Sequence, residues 1–380
     1  MKPLKTADLC CGCTACVNVC NHNAIIMKPD EMGFMYPFID EDKCVQCGLC
    51  ERVCQFKQNY DRFDNYNSPI VYGVRSVQPV DLDLSQTAGA FFVLAKYMIS
   101  LGGVVYGAGW GVDHQVQHKR ATTLSECSEF RGSKYVQSNL DGVFSSVKQD
   151  LKEGKSVLFS GTPCQVAGLK SLLSSSLRRN LYTVDLICHS VPSPKIWHDY
   201  LKWIEKKYGD KIIKSNFRDK KFGWHGAVES YQLKKRKSAL YRRSLGMLHF
   251  TSLDIRQSCA NCPYANMLRV GDITIGDFWG WEEFYQEWND NKGVNLLFVN
   301  SDKGRQYFES VRNLFNVKLS NADECIQPQL KTHVNLSPYY QQFKYDYINK
   351  GIDFVLKKYA DESFMYKLKS YIKDFINYKK

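Results

Sequence analysis

The stretch Cys10–Cys20, CCGCTACVNVC, contains four cysteines with the spacing C-x2-C-x2-C-x3-C, and Cys44–Cys54, CVQCGLCERVC, repeats that spacing 34 residues later. This spacing is typical of bacterial iron–sulfur proteins in which the fourth cysteine of each run ligates the other cluster. Three cysteines two residues apart wrap a tight loop around three corners of a cubane, and the chain then turns into a short helix. The sequence therefore predicts one 4Fe–4S cluster on Cys10, Cys13, Cys16 and Cys54, and a second on Cys44, Cys47, Cys50 and Cys20.

Structural zinc is the alternative for this pattern, because zinc also binds four thiolates. Two ligand sets that exchange their fourth cysteine are more typical of paired iron–sulfur clusters. Small residues such as Gly12 and Thr14 resemble those of bacterial two-cluster ferredoxins, although Asn21 and Gln55 stand where that family usually has proline. Cys11 has no place in the spacing, and we predict that it is not a ligand.

The chain has 380 residues, of which 15 are cysteine, and 44% are hydrophobic. The cysteine number is odd and the N-terminus lacks the apolar segment of a signal peptide, so we expect a cytoplasmic protein with metal-bound or buried thiols. The net charge of +12 lies outside the first 58 residues, which hold six Lys/Arg and seven Asp/Glu. A basic body favours anionic cofactors or acidic protein partners, and we find no nucleic-acid-binding signature.

One apolar stretch is long enough to cross a bilayer. It covers residues 87–112 and contains six glycines, two of which, Gly102 and Gly103, divide it into a helix-like half and a strand-like half. A helix, a turn and a strand of a soluble protein explain this stretch better than a membrane span does.

The remaining sequence divides into a polar linker at 59–69, a main domain at 70–335 and a tail at 336–380. In the main domain, predicted strands at 70–77, 104–110, 156–160 and 181–188 alternate with helices at 87–100, from 164, and at 195–208. Strand–turn–helix units of this kind imply a parallel or mixed sheet covered by helices. The predicted fold class is an α+β ferredoxin-like N-terminal domain at 1–58, an α/β domain with a mixed sheet, and a helical C-terminal tail.

Four cysteines of the main domain suggest a further metal site. Cys164 follows one predicted strand and Cys188 ends the next, so both thiols meet at one sheet edge if the strands are parallel neighbours. Cys259 and Cys262 form a C-x2-C pair before a proline. The four thiols fit a third cluster, whereas buried inert thiols or a redox dithiol are the alternatives.

Several segments of the main domain resemble, in order, the motifs of one family. They are residues 133–138 (SKYVQS), 158–165 (LFSGTPCQ), 188–194 (CHSVPSP), 217–220 (FRDK), 258–264 (SCANCPY) and 272–280 (DITIGDFWG). The set is similar to that of the beta-subunit family of the deazaflavin coenzyme (F-420) hydrogenases and dehydrogenases, and it extends over about residues 70–330. The resemblance implies FAD, a 4Fe–4S cluster on the four cysteines, and electron transfer between cluster and flavin. Ser190 departs from the glycine that is usual after Cys-His in that family.

The resemblance also implies flavin contacts. Residues 85–90 (SQTAGA) open a predicted helix, where small residues let backbone N–H groups approach a phosphate, although a plain helix cap is the alternative. Arg218, Lys220 and Lys221 fit a pyrophosphate or an anionic substrate, or else solvated surface charge. The candidate flavin-binding residues are Ser85, Thr87, Ala88, Gly89, Ser133, Lys134, Tyr135, Gln137, Ser138 and Arg218.

Proton donors to the flavin or its substrate are harder to identify from sequence. His189, Lys220 and His225 are the candidate catalytic residues, and a structural hydrogen bond is the alternative for each histidine. Cys127 and Cys325 lack ligand spacing and are predicted core residues. In the tail, one face of a predicted helix carries an apolar row. We expect this face to dock on the body or on a partner subunit, and binding to a membrane surface is the alternative. The row is Phe364, Leu368, Tyr371, Ile372 and Phe375.

These features predict an iron–sulfur flavoprotein oxidoreductase. Electrons would pass from the ferredoxin-type clusters through the third cluster to FAD and on to a small-molecule substrate that the sequence does not disclose. Partners would be an electron donor or acceptor protein such as ferredoxin. The alternative is an electron-transfer subunit that feeds a partner oxidoreductase and has no substrate site of its own.

Overall fold

The computed structural model describes residues 1–324 and 327–362. Its strands are, in chain order, β1 Lys2–Pro3, β2 Ile25–Pro29, β3 Met35–Ile39, β4 Ile70–Ser76, β5 Val104–Trp110, β6 Val116–Ala121, β7 Val157–Gly161, β8 Leu181–Leu186, β9 Ile212–Asn216, β10 Glu229–Leu233, β11 Leu240–Arg242, β12 Ile273–Asp277, β13 Asn295–Val299 and β14 Phe315–Ser320.

The α-helices follow the same order. They are α1 Ala15–Val19, α2 Leu49–Arg52, α3 Pro79–Leu84, α4 Ala90–Ser100, α5 Leu124–Ser128, α6 Val143–Lys152, α7 Pro163–Ser171, α8 Ser175–Arg178, α9 Pro194–Tyr208, α10 Ser244–Phe250, α11 Asp302–Val311 and α12 Tyr340–Tyr359.

The N-terminal region contains a three-stranded antiparallel sheet in the order β1-β3-β2 and the two short helices α1 and α2. The sequence repeat is visible in its backbone. Gly12 and Thr14 have φ of 70° and 66°, and the equivalent residues Gln46 and Gly48 have φ of 53° and 71°. Both cysteine loops therefore turn through the left-handed region at the same two places, which wraps each loop tightly before its helix begins.

The main domain is built on an eight-stranded mixed sheet in the order β14-β4-β13-β12-β8-β7-β5-β6. The neighbours β5, β7, β8 and β12 are parallel, and the remaining pairs are antiparallel. The predicted mixed α/β sheet is thus confirmed, and it brings the carboxyl ends of four strands to one edge. A separate antiparallel sheet, β11-β10-β9, lies in the same domain.

Helices cover both faces of the large sheet. On one face α4 and α11 bury Phe92, Leu94 and Phe308, together with Cys127, which is fully buried as expected for a core thiol. On the other face α6 and α7 pack with Ala15 of α1, so the N-terminal region joins the core of the main domain.

The predicted linker at 59–69 has no regular secondary structure, but it is firmly packed. The ring of Tyr60 packs against that of Tyr264 at a tilt of 47°, with centroids 4.6 Å apart, and Tyr60 donates a 2.6 Å hydrogen bond to the carbonyl of Leu268. The buried Asn65 donates to the carbonyls of Arg269 and Gly271 at 3.0 and 2.7 Å. These contacts hold the connection against the segment that follows the Cys259/Cys262 pair.

The described part of the tail is the helix α12, which packs on α9 and α10 through buried residues such as Phe343 and Tyr347. A C-terminal helix is thus confirmed, with a break at Gly351, whose φ is 77°. The apolar row at 364–375 and Cys325 lie outside the described residues. Within residues 1–324 and 327–362, every helix is too short or too polar to span a membrane.

Candidate functional site

The four main-domain cysteines of the predicted third cluster line one small cavity of about 40 Å³. They are Cys164, Cys188, Cys259 and Cys262. Cys164 is the second residue of α7, directly after β7, and Cys188 follows β8 by two residues. Since β7 and β8 are parallel neighbours, both thiols reach the same sheet edge. Cys259 lies in a 3-10 turn at Gln257–Asn261, and Cys262 follows that turn. The structure therefore brings together two sheet-edge thiols and a distant C-x2-C pair.

Burial raises the pKa of three of these thiols, those of Cys188, Cys259 and Cys262, and the proximity of the neighbouring thiols adds to it. The pKa of Cys188 lies well above its usual value because of burial, followed by the neighbouring thiols of Cys259, Cys164 and Cys262. Burial also raises the pKa of Cys259 and Cys262 to about 12. Such a set of crowded buried thiols favours binding a cation, which replaces the protons and removes the cost of burying thiolates.

The N-terminal thiols of the first predicted ligand set also lie close together. The pKa of Cys16 is raised by burial, and then by Cys13, Cys10 and Cys54. The pKa of Cys10 is likewise raised by burial, with smaller contributions from Cys13 and Cys54. Cys54, the fourth cysteine of the second run, thus stands beside the first three of the first run, which is the exchange that the spacing predicts.

The second predicted set is more exposed. Burial raises the pKa of Cys50, to which Cys44 contributes, and Cys47 is exposed. Cys20 accepts a 3.4 Å hydrogen bond from the backbone N–H of Ala24. The second predicted ligand set therefore lies closer to solvent than the first.

Within the described residues, no three His, Cys, Asp or Glu side chains converge closely enough to hold a single metal ion. A cubane is held from farther apart, because each thiolate binds a different iron atom. Metal analysis of the purified protein distinguishes cubanes from the zinc alternative.

The thiol of Cys11 lies between the N-terminal and main-domain cysteines. It is buried, lines the small cavity together with Cys164, and interacts with the thiols of both Cys13 and Cys164. This contact with Cys11 lowers the pKa of Cys164 to about 7. Cys11 thus joins the two groups of cysteines without belonging to either ligand pattern.

A second cavity, of about 290 Å³, shares a wall with the first. Both are lined by Thr162, Gln165 and residues 188–191. Several residues that line this second cavity have buried polar atoms with no hydrogen-bond partner among the described residues, a cost that a polar ligand would remove. These atoms are Ser85 Oγ, Arg131 Nε and NH1, His189 Nε2, His249 Nδ1 and Gln327 Oε1. The cavity accordingly fits a ligand with both polar and aromatic surface, such as a flavin.

The predicted phosphate-binding turn lines this second cavity through Ser85, Thr87 and Gly89. The backbone N–H groups of Ala88 and Ala90 donate to Oδ1 of Asn295 at 3.0 and 3.1 Å. These two amides are therefore occupied and are not available to a phosphate.

Thr87 belongs to a polar network at the end of β12. Its hydroxyl donates to Asp277 and accepts a 3.3 Å hydrogen bond from the indole N–H of Trp224. Arg218 pairs with Asp277 at 2.7 Å and donates to the hydroxyl of Tyr135 at 3.4 Å. The network fixes Tyr135 at this cavity and holds Arg218 next to it, where Arg218 lines the third cavity described below.

The predicted segment 133–138 divides between the two cavities. Ser133, Lys134, Tyr135 and Ser138 line the larger one, whereas Gln137 lines the smaller one and donates to the carbonyl of Cys11 at 2.9 Å. Lys134 donates only to backbone carbonyls, and burial lowers its pKa to about 7.

A third cavity, of about 900 Å³, continues outward from the second, with which it shares Ser85, Gln86 and residues 131–134. Lys220 lines it and donates to the carbonyls of Leu82 and Thr87, and burial lowers its pKa to about 8. Lys220 thereby holds the 85–90 turn in place.

The three candidate proton donors are in different places. His189 lines the first two cavities, with its ring 5.2 Å from that of Trp279, and Lys220 lines the third. His225 is 69% exposed and pairs with Glu282 at 2.7 Å, away from these cavities. The geometry favours His189 and gives His225 no position at the site.

Sequence reasoning missed a buried histidine and two acids next to the second cavity. His249 lines that cavity, with Nδ1 4.0 Å from Oδ1 of Asp254. Burial raises the pKa of Asp254 to about 8 and that of Glu229 to about 7. No spacing signal marks these residues, since they come from separate elements.

Comparison with known proteins agrees with the motifs. Residues 9–57 match the family model of a 4Fe-4S dicluster domain, which identifies the N-terminal region as an iron–sulfur domain. Residues 154–324 match the model described as the C terminus of the coenzyme F420 hydrogenase/dehydrogenase beta subunit, so this part of the chain is similar to that family. Both parts of the sequence-based recognition are thus confirmed.

One solved structure similar to this chain is a chain of the F420-reducing [NiFe] hydrogenase complex from Methanosarcina barkeri. It is 16% identical, with a TM-score of 0.45, over 77% of this chain and 92% of that chain. Comparison with curated proteins found no match.

Proposed function

We propose that this chain is an iron–sulfur flavoprotein oxidoreductase that carries three 4Fe–4S clusters and FAD. The observation that carries the proposal is the contiguity of the sites. Cys11 and Cys164 join the N-terminal cysteines to the small cavity, and residues 188–191 form a wall of both that cavity and the larger one. A flavin there would convert single electrons into two-electron chemistry.

The chain's own residues have distinct tasks in this proposal. Cys164, Cys188, Cys259 and Cys262 hold the third cluster. Arg218, kept in place by Asp277, neutralises anionic parts of the flavin, and Tyr135 and Thr87 orient it. His189 stands between the two cavities with Nε2 unpartnered, so it can hold a proton where electrons arrive.

The outer cavity favours a substrate of the chain's own over the alternative of a subunit without one. It is about 900 Å³ in volume, and it shares residues 131–134 with the second cavity, which is about 290 Å³. Lys134 and Lys220 are half-buried and bonded to carbonyls rather than carboxylates, and burial lowers the pKa of each, so an anion bound beside them would favour their charged forms. This chemistry suits an anionic small molecule.

The test is metal and flavin stoichiometry after anaerobic purification. We expect about twelve irons for three four-iron clusters, with about one FAD per chain for the single cavity. Turnover of the purified chain with dithionite and candidate acceptors then separates the enzyme from the subunit function. Flavin absent from a protein that holds all its iron would overturn the flavoprotein proposal.

A further inference from the structure

Arg256 is a buried cation without a counter-charge. Its side chain is among the largest that are fully buried, with 1% exposure. Its guanidinium donates to the carbonyls of Cys10 and Met35 at 2.7 and 2.9 Å and to Oε1 of Gln137 at 2.9 Å. No carboxylate of the described residues forms an ion pair with it. Other buried arginines, such as Arg269 and Arg75, do pair with aspartate.

The position of Arg256 connects two cysteine groups. Its NH2 lies 3.8 Å from Cys10 Sγ, on the N-terminal side. On the other side it lines the small cavity of the main domain. Its backbone accepts a 3.0 Å hydrogen bond from the N–H of Cys259 and donates one of the same length to Val191, beside the Cys188 loop.

The surrounding chain leaves room for this side chain. Gly12, in the first cysteine loop, has φ of 70°, and a β-carbon there would lie 2.9 Å from Arg256 NH1. The ring of Tyr36 covers the guanidinium at 4.1 Å. A buried charge left without a carboxylate is costly unless an anion compensates it.

We propose that Arg256 is the shared counter-charge of the first N-terminal cluster and the main-domain cluster, and sets the reduction potentials of both. The inference rests on the proposed function. A thiolate-ligated cluster is anionic and gains negative charge on reduction, so a cation fixed beside it stabilises the reduced form and raises its potential. The low dielectric of the interior makes this effect larger than at the surface.

Gln137 offers a matched pair of variants that leaves the arginine in place. Gln137→Glu keeps the acceptor for Arg256, loses the donor to the Cys11 carbonyl, and puts a carboxylate beside the guanidinium that offsets its charge. Gln137→Met loses both hydrogen bonds without adding charge. Two variants of the arginine complete the set: Arg256→Met removes the positive charge, and Arg256→Lys keeps it. Midpoint potentials are measured by redox titration followed by electron paramagnetic resonance, alongside the iron content.

We expect Gln137→Glu and Arg256→Met to shift the potentials of both clusters to lower values at unchanged iron content. Gln137→Met and Arg256→Lys should stay close to wild type. If Arg256→Met fails to fold, the difference in potential between Gln137→Glu and Gln137→Met tests the inference without it. Equal potentials in Gln137→Glu and Gln137→Met, in a protein with three clusters, overturn this inference alone. A wild-type protein without the third cluster overturns the proposed function as well.

Discussion

Gly168 of α7 faces Cys13 of the N-terminal region so closely that a β-carbon at residue 168 would lie 2.8 Å from Cys13 Sγ. The glycine is therefore required by the approach of a predicted cluster ligand to the helix that carries Cys164. Any larger residue would push the first cysteine loop away from the main domain.

We expect Gly168→Ala to destabilise the protein although it lies within a helix. Gly246 of α10 is the matched control, because a β-carbon there meets only ordinary contacts at 3.7 Å or more. Gly246→Ala should stabilise folding by about 0.5–1 kcal/mol through helix propensity. Thermal unfolding midpoints measure both variants, and shifts of the same sign would contradict the close approach.

Serine substitutions test the main-domain cysteines. Replacing Cys164 or Cys259 with serine should remove about four of the irons, since each four-iron cubane needs its thiolates. The control is Cys127→Ala, a fully buried thiol away from this cavity, which should retain all iron. Iron analysis with visible absorption gives the readout. Unchanged iron in both serine variants would remove the third cluster from the proposal.

Arg218→Met should weaken flavin binding, whereas Lys221→Met should not. Arg218 is held beside the second cavity by Asp277 and Tyr135, while Lys221 is bonded to Tyr241 at 3.2 Å. Loss of a charge-assisted hydrogen bond of about 1.5–3 kcal/mol weakens binding by about 10- to 100-fold. Titration of flavin-free protein with FAD measures this, and equal affinities in the two variants would contradict it.

Asp254 should make folding less stable as pH rises. Burial raises its pKa to about 8 in the folded chain, and an unfolded aspartate titrates near its ordinary value of about 3.9. Its stabilising contribution is full below the unfolded pKa and is lost as pH rises through the folded pKa. His249 faces it, and Glu229, with a pKa raised to about 7, acts in the same direction.

The variant for this prediction is Asp254→Asn, which removes the titration at nearly constant shape. Urea midpoints at pH 5.5 and pH 8.5 should differ less in the variant than in wild type. The remaining difference reports Glu229 and other groups. An identical pH dependence in both proteins would show that Asp254 is ionised throughout.

Much of the fold follows from local patterns. The strand at Val104–Trp110 has the predicted bounds. Helix α4 begins at Ala90, three residues after the predicted start, because the preceding turn is bonded to Asn295 through the N–H groups of Ala88 and Ala90 and to Asp277 through Thr87. The hydrogen-bond partners of this turn lie 190 and 207 positions away in the sequence, so no local pattern predicts these bonds. The order of the strands and the packed linker depend on the same kind of distant contact.

The sequence by itself determined the iron–sulfur spacing, the mixed α/β sheet and the four cysteines of the main domain, because ligand spacing and hydrophobic period are local properties of the chain. Only the tertiary structure decided that Cys11 lies between Cys13 and Cys164, that Gln137 faces the small cavity, and that Arg256 is buried without a carboxylate. These relationships depend on how separate elements pack, and a buried charge or thiol has no sequence pattern that distinguishes it from an exposed one.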